Sequence, residues 1–195
     1  MGEVIVITSG KGGTGKTSLT GGLGTALALQ GHKVLCIDGD VGLRNLDITL
    51  GMTDAALMDF SDVIAGRCPL GRAVAPHPSV SGLYLLTAPL TLPEDFPGEV
   101  GFRDLLAQAR RIPRIHLVVN RVQPRLLRRL HTTIDDAMDT AGLPLLGLVP
   151  EDAKVVLAAS SGRPLAQMSQ RGAAKAYENI ARRLTGQQVP LMRIR

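Results

Sequence analysis

Aromatic residues make up only 3% of the 195-residue chain, and tryptophan is absent. This argues against a surface of stacked aromatic rings, the usual platform for single-stranded nucleic acid. The core has to be built from Leu, Ile, Val and Ala instead. Cysteine is equally scarce: Cys36 and Cys68 do not form a C-x-x-C pair, and one of them falls in an apolar run. They read as two reduced thiols in a cytoplasmic protein and not as a disulfide framework. No apolar run approaches the length of a membrane span. Glu3 interrupts any basic-then-apolar leader, so no signal peptide is expected. His116 and His131 have no second ligand at useful spacing and read as structural residues, not metal ligands.

The residues that are present define a globular protein. Apolar residues reach 45%, too many for a disordered chain. The length suits one domain with a real core, placed at 1–186 and followed by a tail at 187–195. The net charge of +5 gives a general attraction to anionic surfaces and no more.

The most informative stretch is Val4 to Thr17, VIVITSGKGGTGKT. Val4-Ile5-Val6-Ile7 is β-branched throughout and predicts a buried strand. It leads into Gly10-Lys11-Gly12-Gly13-Thr14-Gly15-Lys16-Thr17, which is G-x-x-x-x-G-K-[ST], a phosphate-cradling loop. Glycines let the backbone curl so that its N–H groups converge on phosphate oxygens. A helix starting near Lys16 would aim its positive end at the same anion. Lys16 can reach the β- and γ-phosphates, and the Thr17 hydroxyl, next to Ser18, can hold Mg²⁺.

The second lysine, Lys11, gives the loop the form G-K-G-G-x-G-K-T. It resembles the deviant Walker A loop of the MinD/ParA class of ATPases. The resemblance implies that Lys11 reaches across a nucleotide-sandwich homodimer to the partner's phosphates.

Spacing along the chain predicts helices over 16–30, 57–65, 100–110, 126–141, 152–159 and 170–184. Strands are predicted over 34–38, 83–87, 115–119 and 145–149. Asp152 is expected to cap its helix, Gly142 and Gly186 to stop theirs, and Pro76-His77-Pro78 to lie in a loop. Strand, helix, strand over the first 38 residues is a βαβ unit and calls for a parallel sheet. Two carboxylates, Asp38 and Asp40, fall at the carboxyl end of a strand, where open α/β sheets bind ligands. Carboxylates there suit magnesium, often through water, or the orientation of an attacking water.

Asp38 to Asp47 reads DGDVGLRNLD. This D-x-D-x-G-L-R-N-L-D pattern is similar to the MinD side of the family, whereas ParA proteins usually continue D-P-Q. The resemblance implies a three-layer α/β/α P-loop NTPase fold, ATP and Mg²⁺ as ligands, and Asp40 holding the hydrolytic water with Asp38 near the metal. It also implies an adenine pocket. Asn120, beside Arg121, would read the base, and Pro150-Glu151-Asp152 would close over it. An amide suits the task because it both donates and accepts. Such ATPases act in division-site placement, or septum site determination, through a division-inhibitor partner and a stimulating partner. They work in the cytoplasm and on the inner face of the membrane. Two alternatives stand beside this reading: a degenerate nucleotide-binding module without hydrolysis, and a ParA-like DNA-segregation ATPase.

The chain departs from the family pattern in two places. No apolar strand ends in D-x-P-x-G, the Walker B and second-switch motif. Asp95, Asp104 and Asp135 do not end apolar strands. With the two strands that normally flank the phosphate-loop strand missing, the sheet is expected to close up. The expected order is 83–87, 34–38, 4–8, 115–119, 145–149, all parallel. The tail, Gln187 to Arg195, is interrupted by Pro190 and is too short for the family's membrane-binding amphipathic helix. Finally, Arg110, Arg111, Arg114, Arg121, Arg125, Arg128 and Arg129 fall in a stretch free of Asp and Glu. Such a run is more often a solvated face than a site for anionic lipid or nucleic acid.

Overall fold

A computed structural model of the chain describes residues 3–55, 57–91, 116–125 and 133–194. The expected helix at 100–110, much of the one at 126–141, and Arg110, Arg111, Arg114, Arg128 and Arg129 lie outside the described residues.

The first helix, α1, spans Lys16–Leu29. It ends as expected: Gln30 is the C-cap and Gly31 follows at φ 90°, donating to the carbonyl of Ala28. Its interior holds Gly21, Gly22 and Gly24, each costing about 1 kcal/mol against Ala in a helix. Tertiary packing offsets that cost. Leu19, Leu23, Ala26 and Leu27 are buried in one core cluster, and full burial of a Leu side chain is worth about 1.5–3 kcal/mol. The glycines also leave room for neighbours. A Cβ on Gly22 would lie 2.2 Å from the Tyr177 ring, and one on Gly24 2.3 Å from Cys36 Sγ.

The strands form two separate sheets among the described residues. In the first, β1 (Val34–Ile37) pairs in parallel with β3 (Leu83–Leu86), Val34 opposite Leu83 and Ile37 opposite Leu86. A two-residue strand, β2 (Ala75–Pro76), pairs antiparallel on the far side of β3. In the second, β4 (Leu117–Val122) pairs in parallel with β5 (Leu145–Pro150). Short helices α2 (Leu46–Leu50), α3 (Phe60–Ile64) and α4 (Leu70–Ala73) lie between β1 and β2. After β4 come α5 (Ile134–Ala141), then β5, α6 (Ala153–Ser160), α7 (Leu165–Met168) and α8 (Ala173–Leu184).

Two expectations need correction. Val4–Ile7 is not a strand, so the single five-stranded sheet and the first βαβ unit do not form among the described residues. A β-branched run becomes a strand only where a neighbouring edge meets its N–H and C=O groups. Here β1 pairs with β3 and β4 with β5 as expected, but the other edges of β1 and β4 form no ladder with Val4–Ile7. The sheet is also not all parallel, because Pro76 belongs to β2; a proline is tolerated there since β2 is an edge. The expected helix over 57–65 shortens to α3, with Asp59 and Asp62 closing a capping box at its start.

The remaining packing follows the sequence closely. Val149 of β5 and Tyr177, Ile180 and Ala181 of α8 complete the cluster on α1. Ala28 and Cys36 join Leu46, Leu50, Leu83 and Leu85 in a second cluster, so α1 serves both sheets. Burial pushes the Cys36 thiol up to about 12, which keeps it protonated and inert. Both cysteines are free and buried. The tail has no regular structure through Ile194, yet Arg183 holds it: Nε donates to the Val189 carbonyl at 2.9 Å and Nη2 to that of Pro190 at 2.5 Å. Nη1 of the same side chain donates to Leu146 of β5 at 2.6 Å. No helix among the described residues is long and apolar enough to cross a membrane.

Candidate functional site: a phosphate-binding loop

The loop before α1 is shaped by its glycines. Gly13 and Gly15 sit at φ 72° and 89°, a conformation that side-chain-bearing residues rarely adopt. Gly15 is also the N-cap of α1 and supplies no capping side chain, so the first N–H groups of the helix stay available to a ligand. Nothing acidic sits in the first turn.

Ser9 and Thr14 tie the loop across its base, their hydroxyl oxygens 2.8 Å apart. The Lys11 carbonyl gathers three donors: Ser9 Oγ at 2.9 Å, Thr14 Oγ1 at 3.4 Å and Lys16 Nζ at 3.5 Å. Lys16 Nζ also lies 3.5 Å from Ser9 Oγ. Lys16 thus folds back over the loop onto neutral acceptors. Neither it nor Lys11 forms an ion pair among the described residues. Two uncompensated cations and a helix start converge on one loop, which is the electrostatic requirement for a polyphosphate.

Asn120 and Arg121 reach this loop from β4. Asn120 Nδ2 donates to the Thr14 carbonyl at 2.9 Å and its Oδ1 accepts from the Arg121 N–H at 2.9 Å. A Cβ on Gly15 would come 2.5 Å from that same Nδ2, so the glycine makes room for the amide. Arg121 takes up φ 55° beside a register shift in β4. This directs its guanidinium to the Gly13 carbonyl at 3.3 Å and to Glu151 at 2.9 Å. Gln123, which sequence reasoning did not single out, also donates to Glu151. Asp152 caps α6 by accepting from Lys154 N–H at 3.0 Å, and its other oxygen accepts from Ala173 N–H at 3.1 Å. Pro150 ends β5 just before them. The expected base-reading residues therefore form a brace running from the loop through Arg121 to Glu151.

The acidic residues are placed differently. Asp38 is buried, and its two oxygens accept from the Asp40 N–H at 3.0 Å and the Leu46 N–H at 3.1 Å. It shapes the 38–46 loop and starts α2. Asp40 is exposed, and its carboxylate makes no hydrogen bond among the described residues. Thr17 is half-buried with its hydroxyl likewise unengaged. No cluster of three His, Cys, Asp or Glu side chains that could hold a metal occurs among the described residues. The Thr17 hydroxyl is a donor that suits a magnesium ion held jointly with a nucleotide.

A model of the CobQ/CobB/MinD/ParA nucleotide binding domain matches residues 5–165. The chain belongs to that family. Among its relatives is the septum site-determining protein MinD of Bacillus subtilis, 35% identical over 98% of this chain and 92% of its own length. That match runs over 246 aligned positions against a chain of 195 residues, so it steps over a stretch that this chain lacks. Among solved structures, the MinC:MinD cell division protein complex of Aquifex aeolicus aligns at TM-score 0.81 and 32% identity, covering 98% of this chain and 99% of that one. A MinD from Pyrococcus horikoshii, solved with Mg-ADP, aligns at TM-score 0.76 over 94% and 96%. At 22% identity it shares the fold. This is the α/β P-loop NTPase fold expected from the sequence, with the sheet divided as described.

Proposed function

We propose that this MinD-like chain is a MgATP-binding ATPase that acts in division-site placement through a nucleotide-dependent homodimer. The observation that carries the reading is the loop Gly10–Thr17, with two left-handed glycines and two cations lacking carboxylate partners at the start of α1. Backbone N–H groups and Lys16 grip the β- and γ-phosphates. Lys11, exposed on the loop, reaches the phosphates bound by the other protomer. Thr17 would hold Mg²⁺, with Asp38 acting through water; the ion, when bound, screens phosphate charge. Asp40 orients the attacking water. Asn120, Arg121, Pro150, Glu151 and Asp152 form the side of the pocket that receives adenine, with Asn120 exchanging its contact to Thr14 for the base edge. A division inhibitor of the MinC type binds the ATP-bound dimer, and a stimulating protein triggers hydrolysis.

Calorimetric titration with MgATP tests the binding step. Lys16→Ala is expected to weaken affinity by roughly ten- to hundredfold, the equivalent of about 1.5–3 kcal/mol for hydrogen bonds to a charged group. Phosphate release measured beside that variant tests the chemistry. Binding without turnover above Lys16→Ala removes the ATPase reading and leaves a nucleotide-binding module, whereas no affinity for ATP or ADP in folded protein removes both.

A further inference from the structure

The phosphate loop is held from one side by the end of β4. Gly13, Thr14 and Gly15 present successive carbonyls there. Arg121 Nη1 donates to the first at 3.3 Å, and Asn120 Nδ2 to the second at 2.9 Å and the third at 3.5 Å. No cis peptide bond occurs among the described residues. In a trans peptide the N–H points opposite to the C=O. The N–H groups of Thr14, Gly15 and Lys16 are therefore turned away from β4, toward the side open to an anion. Those of Thr14 and Gly15 make no backbone hydrogen bond among the described residues.

In the proposed ATP complex Asn120 leaves these carbonyls for the base edge, and Arg121 is the donor that stays. Its backbone holds φ 55°, a left-handed conformation that persists in a residue with a side chain only where the surroundings enforce it. β4 shifts register against β5 at the same point. Nη2 of Arg121 pairs with Glu151 at 2.9 Å, and Gln123 donates to the other Glu151 oxygen. The guanidinium is thus a rigid fork, with one arm on Glu151 and the other on the Gly13 carbonyl. A cation on a carbonyl oxygen also polarises the peptide and strengthens its N–H as a donor. Here that donor belongs to Thr14.

We propose that Arg121 is a positioning residue for the polyphosphate. Anchored by Glu151, it holds the peptide between Gly13 and Thr14 with its N–H facing the ligand. This role rests on the phosphate-loop reading and needs no adenine. It differs from simple attraction between a cation and an anion. Arg121→Lys keeps the charge but cannot span Glu151 and Gly13 with a fixed fork. Glu151→Gln removes a negative charge, so attraction alone would tighten polyphosphate binding, whereas loss of the anchor weakens it. The Arg121 and Glu151 side chains are 60% and 39% exposed, so neither substitution disturbs the core.

Calorimetric titration of the full chain with magnesium tripolyphosphate, which carries no base, and with MgATP tests the proposal. Arg121→Lys and Glu151→Gln are each expected to weaken both ligands by about three- to tenfold, with an unchanged circular dichroism spectrum. The loss should persist at high salt, where a screened charge no longer acts. Amide exchange at Thr14 in the MgATP-saturated chain gives a second readout and should be faster in both variants. Arg121→Lys binding both ligands as the natural chain does overturns the proposal, and so does Glu151→Gln binding them more tightly. A loss confined to MgATP also overturns it, because Arg121 would then be a wall of the base pocket. A folded natural chain that binds neither ligand removes the phosphate-loop reading as well.

Discussion

His77 shows how closely single residues are set in this fold. Its Nδ1 accepts from the N–H groups of Ser79 and Val80, both at 3.1 Å, which leaves the proton on Nε2, 2.9 Å from the Leu50 carbonyl. Burial holds its pKa below the ordinary histidine value, and the Leu50 carbonyl only partly counters this. A neutral ring is therefore required in the folded state, while the unfolded chain binds a proton near pH 6.5. The stability from His77 is full above that pH and is lost as pH falls through 6.5 toward the lower folded value. Thermal melts at pH 7.5 and 5.5 should show this loss, and His77→Gln should reduce the difference between them. None of it was legible in Pro76-His77-Pro78, where the prolines predicted a loop. The two-residue strand depends on β3 arriving alongside. The glycines at 13 and 15, in contrast, were legible because no other residue suits their backbone. The donation of Asn120 and Arg121 to the loop carbonyls was not legible, since that contact joins residues more than a hundred positions apart.

At the scale of elements, local signals gave the helices and failed at the edges of the sheets. α1, α6 and α8 run close to where the sequence places them, with Asp152 capping α6. α5 stops at Gly142 (φ 61°) as expected but starts at Ile134 and not at 126, because Thr133 is extended and closes a capping box with Asp136. Val4–Ile7 carries an equally clear strand signal and forms none, because pairing is decided by which edges come within reach. The contact between β5 and α8 shows how tight the packing is. A Cβ on Gly147 would lie 2.4 Å from Ile180 Cγ1, and Ile180 is 1% exposed. Gly147→Ala should lower stability by about 1–3 kcal/mol, the cost of overpacking a filled core, measured by urea unfolding. Ile180→Val in the same chain should recover part of the loss.

At the scale of the whole molecule, the described residues form two small sheets joined through helix packing and not through a shared ladder. α1 contributes to the clusters on both sheets and carries the phosphate loop at its start. Ligand binding at that loop should therefore stabilise both halves together. At MgATP a hundredfold above Kd, the gain is about 2.7 kcal/mol, or roughly 5–11 °C for a chain of this size. Scanning calorimetry should show one transition moving by that amount. Two transitions, with only one moving, would mean that the halves melt independently. The alignment with the Bacillus relative is longer than this chain and so steps over part of that protein. The sequence did not foresee that the sheet would divide, among the described residues, instead of closing.

The grip of Arg183 gives the end of the chain a direction that its own residues do not encode. One flat, five-donor head meets three carbonyls, one in β5 and two beyond α8. A lysine there would offer a single point charge and could not span them. Arg183→Lys should therefore let residues 187–194 swing away from β5 while leaving α8 wound, turning a moored terminus into a drifting one.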